Sequence, residues 1–349
     1  MTTRHPLAQV FEQWGRVETA GTSPLYAALC EVIAQDPALL ALAARSRPGQ
    51  LQPNMLFGAV HLLLHRQPTA RLAAWYPDLA GAAVRTDDPG PAFRAFCEEH
   101  RAALEPLLAQ KRVQTNEVQR CLLLLPALAL VAAEARRPLA LLEIGASAGL
   151  LLHFDRYAYL YRGPVRTFVG EPRAAVRVET DLTGRLPSDL AFPRVAWRLG
   201  VDLHPLDPRS PEHREWLLAL VWPEHADRRA RLAAALDLAA ARPPVLREGD
   251  ATRDLAPLLA EAPPECALLV FHLSVLRQIS PEGQAAIDAA LSEASRSRDV
   301  WRFANDLLPH SRDRMPLTLC RYRAGRRDDL PLGEAPGHVQ WLRWTHPTR

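Results

Sequence analysis

Residues 137–161, RPLALLEIGASAGLLLHFDRYAYLY, decide how the chain is read. The apolar run from Leu139 to Ile144 breaks at Gly145 into small residues. Leu150, Phe154, Tyr157 and Tyr161 then follow at helical spacing. The expected order is strand, tight glycine turn, helix. Such a unit builds ligand sites in α/β domains. Gly145 and Gly149 permit positive φ and close backbone approach, a helix N-terminus offers unpaired N–H groups, and Glu143 at the strand end can accept hydrogen bonds.

Written E-x-G-x-S-x-G, the stretch resembles the first motif of class I S-adenosylmethionine-dependent methyltransferases. Glu143, Gly145 and Gly149 match, and Ser147 replaces the middle glycine. Written G-x-S-x-G, the same five residues resemble the nucleophile elbow of α/β-hydrolases, with Ser147 as nucleophile. A third reading is structural, a glycine turn that only lets the following element pack on the sheet. An elbow normally follows several strands and a Gly-rich oxyanion loop, and residues before 137 show neither.

Upstream, Phe11 to Val17, Pro24 to Ala34, Pro37 to Ala44, Met55 to His65, Phe93 to Ala109 and Glu117 to Arg136 carry helix-period apolar positions separated by Pro and Gly. Residues 1–136 are therefore expected to form an all-helical N-terminal domain, with Pro138 ending the last helix before the first strand. His61 and His65 are four apart, but no Glu follows His61 to make H-E-x-x-H. Capping or burial is the expectation there, and no metal site is expected.

Downstream, Val165 to Val169 and Ala175 to Glu179 read as an inserted β-hairpin within 165–194, and Val195 to Leu203 as the next sheet strand. Asp202, at the end of that strand, is the expected partner of a cofactor's ribose hydroxyls, with Glu171 as its rival. A short strand from Pro244 then ends in Gly249-Asp250-Ala251. In the resembled superfamily an acid and a small residue at this point lie beside the adenine, and Asp250 is equally an ordinary helix N-cap. Ala267 to Phe271 is a continuous apolar run suited to a central parallel strand. Its end carries His272, the candidate general base. Val300 to Phe303, followed by Asn305-Asp306, reads as a fifth strand. The tail reads as an antiparallel pair, Leu317–Tyr322 with Val339–Trp344, joined by a charged loop. His310, His338 and His346 would be available to a hydrolase.

Composition narrows the classes. The chain has 349 residues, 48% of them hydrophobic, and a net charge of +3 with basic and acidic residues interleaved, so no nucleic-acid surface is expected. No stretch reads as about 18 uninterrupted apolar residues and no signal region precedes the first helix, so the cytoplasm is the expected compartment. Five scattered cysteines argue against a disulfide framework.

The segments SPLYAAL, TNEVQR, LLEIGASAGLLLHFDRY, GVDLHPLD, VWPEHADRRARL and VFHLSVL, spread over residues 23 to 276, resemble a bacterial family known as the domain of unknown function 2332. The resemblance implies a methyltransferase-like fold and no particular reaction. The expectation is a Rossmann-like α/β domain over 137–349, binding S-adenosylmethionine and acting on a small molecule. A serine esterase and a silent module binding a nucleotide-like ligand are the alternatives.

Overall fold

The computed structural model describes residues 5–305 and 314–347. Asp306 and His310 lie outside the described residues. The chain forms two compact units, one of residues 1–115 with 211–233 and one of 116–210 with 234–349. This division is not the one expected at residue 136. Helix Cys121–Ala135 belongs to the second unit, because its continuous apolar surface is buried there, and residues 211–233 leave that unit to join the first.

The first unit contains, among the described residues, only helices and turns. Phe93 to Ala109, read as one helix, is broken at His100 into Gly90–Glu99 and Arg101–Gln110. An aromatic core holds this unit together. Phe11, Trp14, Tyr26, Phe57 and Phe93 are buried in it with Trp216 and Ala219 of helix Pro211–Ala219, and Tyr26 stacks on Phe57 with ring centroids 4.2 Å apart.

The second unit is built on one mixed, largely parallel sheet. Its strands are β1 (Leu139–Ile144), β2 (Ala158–Arg162), β3 (Thr167–Val169), β4 (Arg177–Thr183), β5 (Val195–Asp202), β6 (Leu246–Glu248), β7 (Ala267–Leu273), β8 (Val300–Asn305), β9 (Met315–Arg323), β10 (Arg326–Ala335) and β11 (Trp341–Trp344). They lie in the order β3-β2-β4-β11-β10-β9-β8-β7-β1-β5-β6. From β6 to β8 every neighbouring pair is parallel. β1 and β7 are buried on both faces, as central parallel strands must be, and are apolar except for Glu143 in β1 and His272 in β7. Chain order runs outward from β1 through β5 to β6 on one side and through β7 to β8 on the other. The direction of winding thus reverses at β1, where open α/β sheets leave a crevice at the carboxyl ends of their strands.

Three local expectations are corrected. First, no α-helix follows the glycine turn. Leu150–Arg156 is a short 3-10 segment with non-helical backbone at His153, and the chain then enters β2. The hydroxyls of Tyr157 and Tyr159 donate to the carbonyls of Leu150 and Phe154, each at 2.6 Å, taking acceptors a longer helix would have used. Second, the hairpin is β2 with β3. β4 pairs with β2 in parallel and does not pair with β3. Third, the tail segments are not neighbours. The charged segment between them is β10, antiparallel to both β9 and β11, and the sheet continues past β11 into β4.

Helix Val118–Ala135, counted from its leading 3-10 turn, spans 18 residues and is long and apolar enough to cross a membrane by length and composition alone; its apolar run is interrupted by Gln119, Arg120 and Glu134, and 67% of it is buried inside the fold. All five cysteines are free and buried.

On the other side of β8, Arg302 is buried and its guanidinium pairs with Asp288 of helix Pro281–Ala294. The same carboxylate accepts from the Tyr322 hydroxyl and from Arg327 at 2.8 Å. Asp288→Ala would strand a buried guanidinium. Because Asp288 is itself partly exposed, we expect a loss of about 2–3 kcal/mol, below the full cost of a broken buried pair, in urea unfolding of the full-length protein followed by circular dichroism.

Candidate functional site

The Gly145–Gly149 turn sits at the carboxyl end of β1, where the winding reverses. Positive φ recurs at Gly145 (73°), Ser147 (50°) and Gly149 (68°). The glycines are required by packing. A Cβ on Gly145 would lie 2.6 Å from Val275 Cγ2, and one on Gly149 would lie 2.6 Å from Pro244 Cγ. Ser147 is the one side-chain-bearing residue of the turn held at positive φ, a conformation that costs on the order of 1–2 kcal/mol and must be compensated.

The compensation comes from hydrogen bonds. Ser147 N donates to Asp202 Oδ2 at 2.8 Å, and His204 N donates to Asp202 Oδ1 at 2.8 Å. Asn116 Nδ2 donates to Ser147 Oγ at 2.8 Å, while Asn116 Oδ1 accepts from Ala148 N at 3.4 Å. Gly145 N and Ala146 N donate to the Val201 carbonyl, and Gly149 N to that of Ala146. Every N–H of the turn is thus engaged within the protein, so the turn offers a shaped backbone and few donors.

Asp202 ends β5, the strand beside β1, and is half-buried. Its rival Glu171 is exposed and follows β3 at the opposite end of the sheet order. Glu143 is buried with Oε2 unpartnered. Burial, reinforced by the nearby Asp202 charge and only partly opposed by Arg120, pushes its carboxyl well above the usual glutamate range.

Three expected site residues cap a helix or are buried within the protein. Asp250 caps helix Ala251–Ala260, accepting from Thr252 N at 3.0 Å and Thr252 Oγ1 at 2.7 Å, and the bond to Thr252 lowers its carboxyl. Ala251 is the buried first residue of that helix. His272 is 0% exposed, and neither ring nitrogen has a partner. Burial, with the Arg302 charge, lowers it to about 3. A base must reach the proton it removes, and His272 faces the apolar interior.

The residues that frame the turn come from Asn116 to Arg120, the TNEVQR segment without its leading Thr115. Gln119 pairs with the backbone of Glu179 on β4 through both ends of its amide, at 3.1 and 3.2 Å. Arg120 Nη1 donates to the Leu273 carbonyl at 3.0 Å and Nε to that of Gly337 at 3.3 Å. Buried Glu117 accepts from His338 Nδ1 at 2.9 Å, with the imidazole half exposed. The signal in the sequence was a run of polar residues, Asn116, Glu117, Gln119 and Arg120, next to a buried apolar helix.

As a nucleophile, Ser147 would need a histidine within hydrogen-bond reach. It is 5% exposed, and its Oγ bonds Asn116 and no histidine. In the helical unit His61, His65 and Asp78 form the one group among the described residues whose donor atoms cluster as metal ligands do.

A family model described as an uncharacterized protein conserved in bacteria (DUF2332) matches residues 8–344. No curated protein and no solved structure matches the chain.

Unfolded glutamate ionises near 4.5. Because folding raises the Glu143 carboxyl, the stability it contributes is complete below that pH and is lost as the pH climbs toward the raised folded value. Glu143→Gln cannot ionise. Its melting temperature should match wild type near pH ~4 and exceed it increasingly from about pH 5 to 8; a difference that ignores pH would mean Glu143 ionises normally.

Proposed function

We propose, for a chain that belongs to the bacterial family DUF2332, S-adenosylmethionine-dependent methyl transfer to a small-molecule acceptor at the carboxyl edge of β1 and β5. The observation that carries this reading is the 2.8 Å bond from Ser147 N to Asp202 at the point where the winding reverses. We read β6-β5-β1-β7-β8 as the doubly wound half of a Rossmann-like, class I methyltransferase-type sheet. In such a sheet the acid ending the strand next to β1 faces the nucleoside part of the ligand.

The residues fit the cofactor at the acid and not at the turn amides. Asp202 uses one lone pair on each oxygen for Ser147 N and His204 N, so each keeps capacity for a ribose hydroxyl. S-adenosylmethionine supplies, when bound, an electrophilic methyl group. The protein's part is then mainly alignment of the acceptor, plus removal of one proton where the acceptor carries one. His338, half exposed and oriented through Nδ1 by Glu117, takes the role of base in place of His272. Glu117 follows Asn116 directly, and Asn116 holds Ser147, so base and turn are fixed by consecutive residues.

Binding and chemistry are separable by experiment. In calorimetry with S-adenosylhomocysteine, Asp202→Ala should weaken binding by about 1.5–3 kcal/mol, the scale of a charged hydrogen bond, and Asp202→Asn by less. His338→Gln should leave that affinity unchanged while lowering kcat about 10²-fold or more. Wild-type protein with no affinity for the cofactor would overturn the proposal. Labelling of wild type, but not of Ser147→Ala, by a fluorophosphonate would replace it with the esterase reading.

A further inference from the structure

The helical unit carries a cluster that the methyltransferase reading leaves unused. His61 and His65 lie one turn apart on helix Gln52–Arg66, and Asp78 stands in the first turn of helix Pro77–Ala80. Their donor atoms form a nearly equilateral triangle. His61 Nε2 and His65 Nε2 are 3.0 Å apart, and each approaches Asp78 Oδ2, at 3.0 and 2.9 Å. The side chains of His61 and Asp78 are 0% and 5% exposed, and that of His65 is 21% exposed.

Neutral hydrogen bonding does not fill this triangle. The Ala219 carbonyl lies 3.0 Å from His61 Nδ1 and can only accept, so Nδ1 carries the proton. With Nδ1 committed to that carbonyl, Nε2 is the ring nitrogen that faces Asp78 Oδ2 at 3.0 Å. Nitrogen and carboxylate oxygen this close are held by a cation between them, a proton or a metal ion. His65 Nε2 can supply one proton to the pair and cannot satisfy both edges. Asp78 Oδ1 is buried without a partner. Arg229 stands beside the group, its Nε 3.7 Å from Asp78 Oδ2 and its Nη2 3.4 Å from His65 Nδ1.

We propose that His61, His65 and Asp78 bind a divalent first-row transition ion on one face of an octahedron. Bonds of about 2.1 Å at right angles separate adjacent donors by about 3.0 Å, whereas tetrahedral angles would need about 3.4 Å. The observed edges match the octahedral face. Two imidazoles favour a transition ion over magnesium or calcium, and a two-histidine, one-carboxylate face leaves three positions for water or a further ligand. The Ala219 carbonyl has the outer role such sites require, fixing the tautomer and ring orientation of His61. The sequence shows only two of the three ligands at helical spacing. Asp78 arrives from a separate helix.

The test uses the full-length protein, stripped with a chelator, dialysed and titrated with Co²⁺ and with Zn²⁺. We expect one ion bound per chain, the weak visible absorption of six-coordinate Co²⁺, and a loss of affinity of at least about 100-fold in both His65→Gln and Asp78→Asn. Circular dichroism checks that the variants fold, and partly exposed His65 makes His65→Gln the decisive variant should Asp78→Asn fail. No stoichiometric binding by wild type, or undiminished binding by folded His65→Gln, would overturn the site. Intense tetrahedral Co²⁺ bands would overturn its octahedral geometry.

Discussion

The α/β unit depends on the need to satisfy three polar side chains buried within one four-residue stretch. Glu117, Gln119 and Arg120 enter the interior together, and an unpaired group there costs more than most single contacts return. Their partners are on β4, at the end of β7, and in the segment before β11. Asn116, just ahead of them, takes the glycine turn. One short segment therefore fixes points that are far apart in sequence, and the geometry of the turn is set by that satisfaction.

The central sheet was legible where burial alone writes the pattern. β1 and β7 open on apolar runs, Leu139–Leu142 and Ala267–Phe271, because both faces are covered, and Asp202 was legible as the acid ending the strand beside β1. β2 was not. Tyr157, Tyr159 and Tyr161 alternate, but Leu150, Phe154, Tyr157 and Tyr161 also fit a helical period, and the sequence does not show that tyrosine hydroxyls will claim the competing carbonyls. β10 was hidden for a different reason. Its first six residues are exposed, so no burial alternation marks them, and charged pairs such as Arg327 with Asp329 stand where apolar ones would have been read as strand.

The candidate site shows why a glycine motif underdetermines chemistry. Gly145 and Gly149 are excluded from bearing a side chain by Val275 and Pro244, so packing accounts for both before any ligand is considered. What distinguishes the functional readings lies outside the motif, in the partner of Ser147 and in the position of Asp202. Both are long-range relations, 31 and 55 residues away in sequence. His272 misled because its residue type suits a base while its position, 0% exposed, does not.

The excursion of residues 211–233 bears on how this molecule can be inherited. The chain passes between its two units at 115/116, 210/211 and 233/234, so no single break in the gene separates them. A protein begun at residue 116 would still carry helix Pro211–Ala219, and with it Trp216 and Ala219 stripped of the aromatic core that buries them. Such an exposed apolar surface invites aggregation. The α/β unit is thus a poor candidate for shuffling as a cassette, and the two units are bound to evolve as one heritable piece.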